Sequence, residues 1–388
     1  MTVAAPVEAL LAAKEIVVVC GSGGVGKTTT AAALATMAAA DLGAKVLVLT
    51  VDPARRLADA MGLGALGNTE TRVSPAAFAD AGLEPRGELW AAMLDTKQSW
   101  DELIRRHAPD ARTRDAILAN PLYRNVAGKF VHSHDYIAME RLYELHASGT
   151  YDLIVVDTPP TRHAIDFLEA PERMADFFSS RLLRWLLVPY RSRLVNAASR
   201  PFYQIADRAL GSAFLADIAE FFILFQSMYD GFVERARAVE RVLEDRRTTF
   251  VVVTTLEAAP AHEAGRFVEV LRTKRLHLGA VVLNRVLPTE LLDHGATEAA
   301  RALVAHADEL ASAVAATLDD PPGPTDLVAR VLGELGESFL NFQVVAKREA
   351  EQRAELALGA GVVATVPAFE TDIYDLAGLA RLADALRR

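Results

Sequence analysis

The chain has little of several things. Among its 388 residues there is one cysteine, Cys20, only seven of the 41 basic residues are lysine, and aromatics make up 7%. A single thiol excludes an internal disulfide framework and any metal site built from several thiolates of one chain. With 41 Lys+Arg against 51 Asp+Glu the net charge is -10, the wrong sign for a surface that tracks a phosphate backbone, so no nucleic acid partner is expected. No stretch approaches the roughly 18 uninterrupted apolar residues that suggest a membrane span. The N-terminal MTVAAPVEALLAAKEIVVVC has no basic residue before its apolar stretch, its first lysine being Lys14, so it does not read as a secretory leader. The expectation is a cytoplasmic protein, with attachment at the periphery of a membrane left open. Apolar residues at 51% and charged ones at 24% exclude disorder as the main state.

What is present is a rhythm of short β-branched runs between helical patterns. Strands are predicted at Ile16 to Cys20, Val46 to Val51, Leu89 to Leu94, Leu153 to Val156, Phe250 to Thr254, Ala280 to Leu283 and Val362 to Val366. Continuous apolar strands alternating with helices indicate a mostly parallel sheet covered on both faces. Two stretches interrupt the rhythm. From Phe167 to Phe232 no strand pattern occurs in 66 residues, yet 13 of the 27 aromatics lie there. Within it Leu210, Phe214, Ile218, Phe221, Phe225, Tyr229 and Phe232 recur at helical steps as one apolar face. A helical insertion over about 167–245 is expected. The turn-rich Asp319-Asp320-Pro321-Pro322-Gly323-Pro324 opens a second, smaller helical insertion over about 319–358.

The chemistry begins at Gly21-Ser22-Gly23-Gly24-Val25-Gly26-Lys27-Thr28, directly after a strand and before an Ala-rich helix: a P-loop. Its glycines let backbone N–H groups close around a phosphate at the positive end of a helix. Lys27 would neutralise the β- and γ-phosphates, Thr28 would ligate Mg²⁺, and Thr29 continues the nucleotide-binding run. Asp52, in Thr50-Val51-Asp52-Pro53, follows the second strand and is either a carboxylate that orients the attacking water or the N-cap of a helix beginning at Pro53. The apolar run Leu153 to Val156 leads into Asp157, which suits a Walker B acid holding a water on Mg²⁺. The expected fold is therefore α/β, a single P-loop NTPase domain over residues 1–388 with a seven- or eight-stranded, mostly parallel sheet flanked by helices.

The segments GSGGVGKTTT, VDPARRLADA, NPLYRNVAGKFVHSHDYIAMERLYEL, IVVDTPPTRHAIDFLEAP and AVVLNRV, in that order, resemble the arsenical pump-driving ATPase family, which includes the guided-entry ATPases that target tail-anchored membrane proteins. The resemblance runs from about Ile16 to the C-terminus and is faint between Phe177 and Phe250. It implies a Mg²⁺-dependent, dimeric ATPase, with ATP as its nucleotide, that works as a conformational switch. A hydrophobic client or membrane protein would be its partner, and an anion pump's driving subunit or a weakly active member of a heterodimer are the alternatives. It also implies roles: Asp52 as the water-activating acid of switch I, Asp157, Thr158, Pro159, Pro160 and Thr161 as switch II, Asn284 as the adenine reader, and Pro367 in the loop over the base. Read locally, without the resemblance, Asn284 is a strand-end turn residue.

Departures from the family pattern carry information too. The second P-loop position is commonly a lysine that reaches the partner's nucleotide across a dimer; here it is Ser22. Arg55 or Arg162, at switch positions where the family has other residues, would supply a substitute cation, although 34 of the 41 basic residues are arginine and the type is this chain's default. The multi-cysteine arsenite and zinc sites of relatives cannot be built from Cys20, which reads as a buried structural residue. His132 and His134 diverge on a helix, and His163 suits a supporting role near switch II better than a metal.

Overall fold

The computed structural model describes residues 6–51, 55–64, 66–126, 133–160, 168–170, 172–173, 176, 220–317, 324–357 and 361–387. Eight strands form one sheet: β1 (Ile16–Gly21), β2 (Lys45–Thr50), β3 (Thr71–Arg72), β4 (Glu88–Met93), β5 (Leu153–Asp157), β6 (Thr248–Thr254), β7 (Leu278–Val286) and β8 (Val362–Pro367). Their order is β3-β4-β2-β5-β1-β6-β7-β8. Every pairing is parallel except β3 with β4, where Thr71 lies opposite Ala91 and Arg72 opposite Trp90. All seven expected strands are present with ends shifted by a few residues, and β3 is the addition.

The central strands β1, β5 and β6 are buried along their whole length. Side chains alternate between two cores, as a strand's two-residue period requires. Ile16, Val18 and Cys20 join one core with Trp100, Tyr136, Phe225 and Phe232. Val17 and Val19 join the other, with the helices Lys27–Asp41 and Leu376–Arg387. The helix Lys27–Asp41 is buried along nearly its whole length, and its alanines allow that close packing.

The two interruptions differ. Residues 177–219 lie outside the described residues, and with them Leu210, Phe214 and Ile218. The described part of the aromatic stripe is core. Phe221, Phe225 and Phe232 are buried, Phe225 stacks on Phe232 at 5.2 Å between centroids, and Trp100 lies 6.1 Å from Phe232. Beneath them the helices Ser133–Ala147 and Tyr229–Glu244 share an ion pair of Glu140 with Arg235, Glu140 being 1% exposed. Most of the second stretch is one helix, Thr325–Ala357, of 33 residues, packed beside the helices His294–Ala305 and Ala307–Thr317.

Candidate functional site

The P-loop bridges the carboxyl end of β1 and the helix Lys27–Asp41. Parallel α/β sheets bind ligands there, where strand order reverses about the first strand. Backbone geometry accounts for two of the glycines. Gly26 has φ 96, and a Cβ on it would come within 2.4 Å of the Asn284 amide nitrogen. A Cβ on Gly21 would meet the Val253 carbonyl oxygen at 2.1 Å. Only glycine fits both contacts.

Side chains then converge on the loop. The Lys27 ammonium is buried and donates to the Ser22 carbonyl oxygen at 2.8 Å. Thr28 Oγ1 donates to Asp157 Oδ2 at 2.8 Å, and Thr50 Oγ1 donates to the same oxygen at 3.1 Å. Asp157, the last residue of β5, is wholly buried. The Val51 amide donates to the Asp157 carbonyl oxygen at 3.1 Å, so the chain leaves β2 for Asp52 from beside this acid. Thr158 donates its hydroxyl to the Val19 carbonyl oxygen at 2.8 Å, tying the start of the second switch segment to β1; Pro159 and Pro160 follow, half-buried. Two hydroxyls and a carboxylate are hard oxygen donors of the kind Mg²⁺ takes. The Lys27 charge and the loop amides suit phosphate.

Other expected positions fall as follows. Asp52, Thr161, Arg162, His132 and His163 lie outside the described residues, as do the side chains of Arg55 and His134. Thr29 lies in the first turn of the P-loop helix, half-buried. Asn284 is tied to the loop: its nitrogen donates one N–H to the Val25 carbonyl oxygen at 2.8 Å and its oxygen accepts from the Arg285 amide at 3.0 Å, leaving the second N–H of the carboxamide for another acceptor. A register shift between Leu283 and Val286, with Arg285 at φ 59, turns it under the P-loop. Pro367 is exposed at the end of β8, opposite Val286. Cys20 is buried, and burial pushes its thiol up to about 12.

Sequence reasoning missed two contacts. Thr50 was visible only as a residue near Asp52. The Ser22 hydroxyl donates to Glu263 Oε2 at 2.7 Å, from 241 residues away, and no local signal marks Glu263. His107, Glu140 and Glu144 also converge. Arg106, Arg141 and Arg235 pair with the two carboxylates, which makes the cluster unfavourable for a cation.

Sheet order, glycine loop and the Lys27–Thr28–Asp157 arrangement define a P-loop nucleotide-binding protein. The sequence model of the family described as anion-transporting ATPase matches residues 14–306, more than half of the chain. The chain belongs to this ATPase family. A putative arsenical pump-driving ATPase 2 of Aquifex aeolicus is 26% identical over 278 residues, spanning 69% of this chain and 79% of the relative. ATPase GET3 of Malassezia globosa is 26% identical over 267 residues, 69% of this chain and 71% of its own. An uncharacterized protein of Streptomyces coelicolor is 30% identical over 273 residues, 70% of this chain and 62% of its own. Among the described residues no helix is long and apolar enough to cross a membrane.

Proposed function

We propose that the chain hydrolyses ATP with Mg²⁺ at this one P-loop and uses the cycle as a switch between subunits, acting on an apolar client or a membrane partner. The observation that carries the chemistry is the shared oxygen of Asp157, which accepts from Thr28 on the P-loop helix and Thr50 at the end of β2. That junction ties the phosphate loop to the segment leading to Asp52, so a change at one is felt at the other. Lys27 and the loop amides, from Gly21 to Thr29, bind and orient the phosphates; Thr28, and Asp157 through water, would hold the metal. Mg²⁺ supplies charge neutralisation across the phosphates when bound. Asp52 orients the attacking water and accepts its proton, and Asp157 to Thr161 sense whether the terminal phosphate remains. Asn284 and Pro367 flank the base.

Ser22 sets the limit on turnover. The residue is 7% exposed and its hydroxyl is bonded to Glu263 of its own chain, so it offers no cation to a partner's nucleotide. The proposed partner is a like chain or a paralogue that keeps lysine at that position; a partner's cation can contribute orders of magnitude to phosphoryl transfer. The test is single-turnover hydrolysis. Asp52→Asn should slow it roughly a hundredfold or more with ATP affinity nearly intact, and Ser22→Lys should speed the isolated chain. Normal hydrolysis by Asp52→Asn would reduce Asp52 to a helix cap.

A further inference from the structure

Ser22 is held at two of its polar groups. Its hydroxyl donates to Glu263 Oε2 at 2.7 Å, and its carbonyl oxygen accepts from the Lys27 ammonium at 2.8 Å. Glu263 comes from the helix Ala258–Thr273, which follows β6, and Gly21 lies directly beside Val253 of β6 in the parallel register. The carboxylate therefore reaches the loop from the unit against which the loop's first residue is already packed. Beyond Ser22 the loop opens: a Cβ on Gly23 or Gly24 would meet nothing within 4 Å, and both glycines are exposed. The anchored end and the open middle of the loop adjoin at Ser22.

An ammonium on a flexible four-carbon stem does not aim itself. Lys27 rests on a carbonyl that is only as fixed as residue 22, whose next two neighbours, Gly23 and Gly24, lend it no side-chain packing. Ser22 and Lys27 are 7% and 8% exposed, so the contact between them is stronger than the same contact in water. A hydroxyl donating to a carboxylate is charge-assisted, and 2.7 Å is within the short range of such bonds.

We propose that Glu263 is a positioning residue for phosphoryl transfer: through Ser22 it fixes the carbonyl on which the Lys27 ammonium rests, and so sets the aim of Lys27 at the phosphates. Glu263 itself needs no contact with the nucleotide. Its negative charge, two hydrogen bonds from the ammonium, also offsets the cost of burying Lys27. Removing it has opposed effects on affinity, because attraction of the loop for an anionic nucleotide rises while alignment is lost. Aim matters most in the transition state, where charge on the transferring group is redistributed, so the loss falls on rate and not on affinity. The inference rests on ATP hydrolysis at the P-loop and adds to it a residue 241 positions away from the loop.

Single-turnover hydrolysis by the full chain, with Mg²⁺–ATP affinity measured alongside by titration calorimetry, tests it. Glu263→Ala should slow hydrolysis about tenfold to a hundredfold, with ATP affinity within about threefold of the wild type. Glu263→Gln keeps an acceptor for the Ser22 hydroxyl and should restore most of the rate. Ser22→Ala removes the other end of the same bond, should slow hydrolysis to a like degree, and carries the test if Glu263→Ala fails to fold. The double variant should be no slower than either single one, since both remove one contact. Binding of ADP with aluminium fluoride, which mimics the transferring phosphoryl group, should weaken in step with the rate while ATP binding holds. Normal hydrolysis by folded Glu263→Ala or Ser22→Ala would overturn the proposal and leave the ATPase reading intact. Additive losses in the double variant, or rate and ATP affinity falling together, would overturn it too, the contact then serving the fold alone. A wild type that hydrolyses no ATP would instead remove the ATPase reading, and this inference with it.

Discussion

Gly26 and Asn284 constrain each other. The loop can pass over the Asn284 amide only because residue 26 lacks a Cβ, and the φ of 96 independently disfavours any other residue. Gly26→Ala should therefore fold but bind ATP at least tenfold more weakly, a loss of about 1.4 kcal/mol or more measured by titration calorimetry; unchanged affinity would separate this contact from phosphate binding. The glycines and Lys27 were legible because a P-loop is a local pattern. The use made of Asn284 was not, since it depends on a bulge and on Arg285 at φ 59, neither of which leaves a mark in composition. Cys20 should resist thiol reagents in the native state, because burial pushes its thiol up to about 12 and denies access. Rapid labelling of the folded chain by a colorimetric disulfide reagent would contradict that.

At the scale of elements, the aromatic cluster joins the helices Thr96–His107, Ser133–Ala147 and Tyr229–Glu244 to the sheet. Phe232, 1% exposed, touches Trp100, Tyr136 and Phe225, and Phe232→Ala should cost about 3–5 kcal/mol in denaturant unfolding. The Glu140–Arg235 pair below it is buried, so Arg235→Met alone should cost about 3–5 kcal/mol by leaving the acid unpaired. The double variant Glu140→Gln with Arg235→Met should recover much of that.

His107 titrates in the same place. Burial, helped by Arg235, holds its imidazole below its ordinary value of 6.5. The unfolded chain then takes up a proton that the folded one resists, so this contribution is intact above pH 6.5 and is lost as pH falls below it. Burial raises Glu140 instead, giving a slope of opposite sign above pH 4.5. His107→Gln should flatten the decline in stability between pH 6.5 and 5.5, read from urea midpoints. Seven strands were legible because their central members are continuous apolar runs. The strand β3 was not, since two residues at a sheet edge carry no period. Nor was the pairing of Glu140 with Arg235, which spans 95 residues.

For the whole molecule, the sheet order places β1 between β5 and β6, and the position of the candidate site follows from that as much as from the loop sequence. The fold class was legible because strand and helix alternation sets the layers before any contact is known. What was illegible is long-range: Thr50 with Asp157, and Ser22 with Glu263, which holds inward the residue at the family's lysine position. The central claim is that this P-loop binds Mg²⁺–ATP through Lys27. Titration calorimetry of Mg²⁺–ATP into the wild type and into a folded Lys27→Ala variant tests it most directly. The account predicts one saturable site per chain in the wild type and binding abolished or severely weakened in the variant; equal affinity in the two would contradict it.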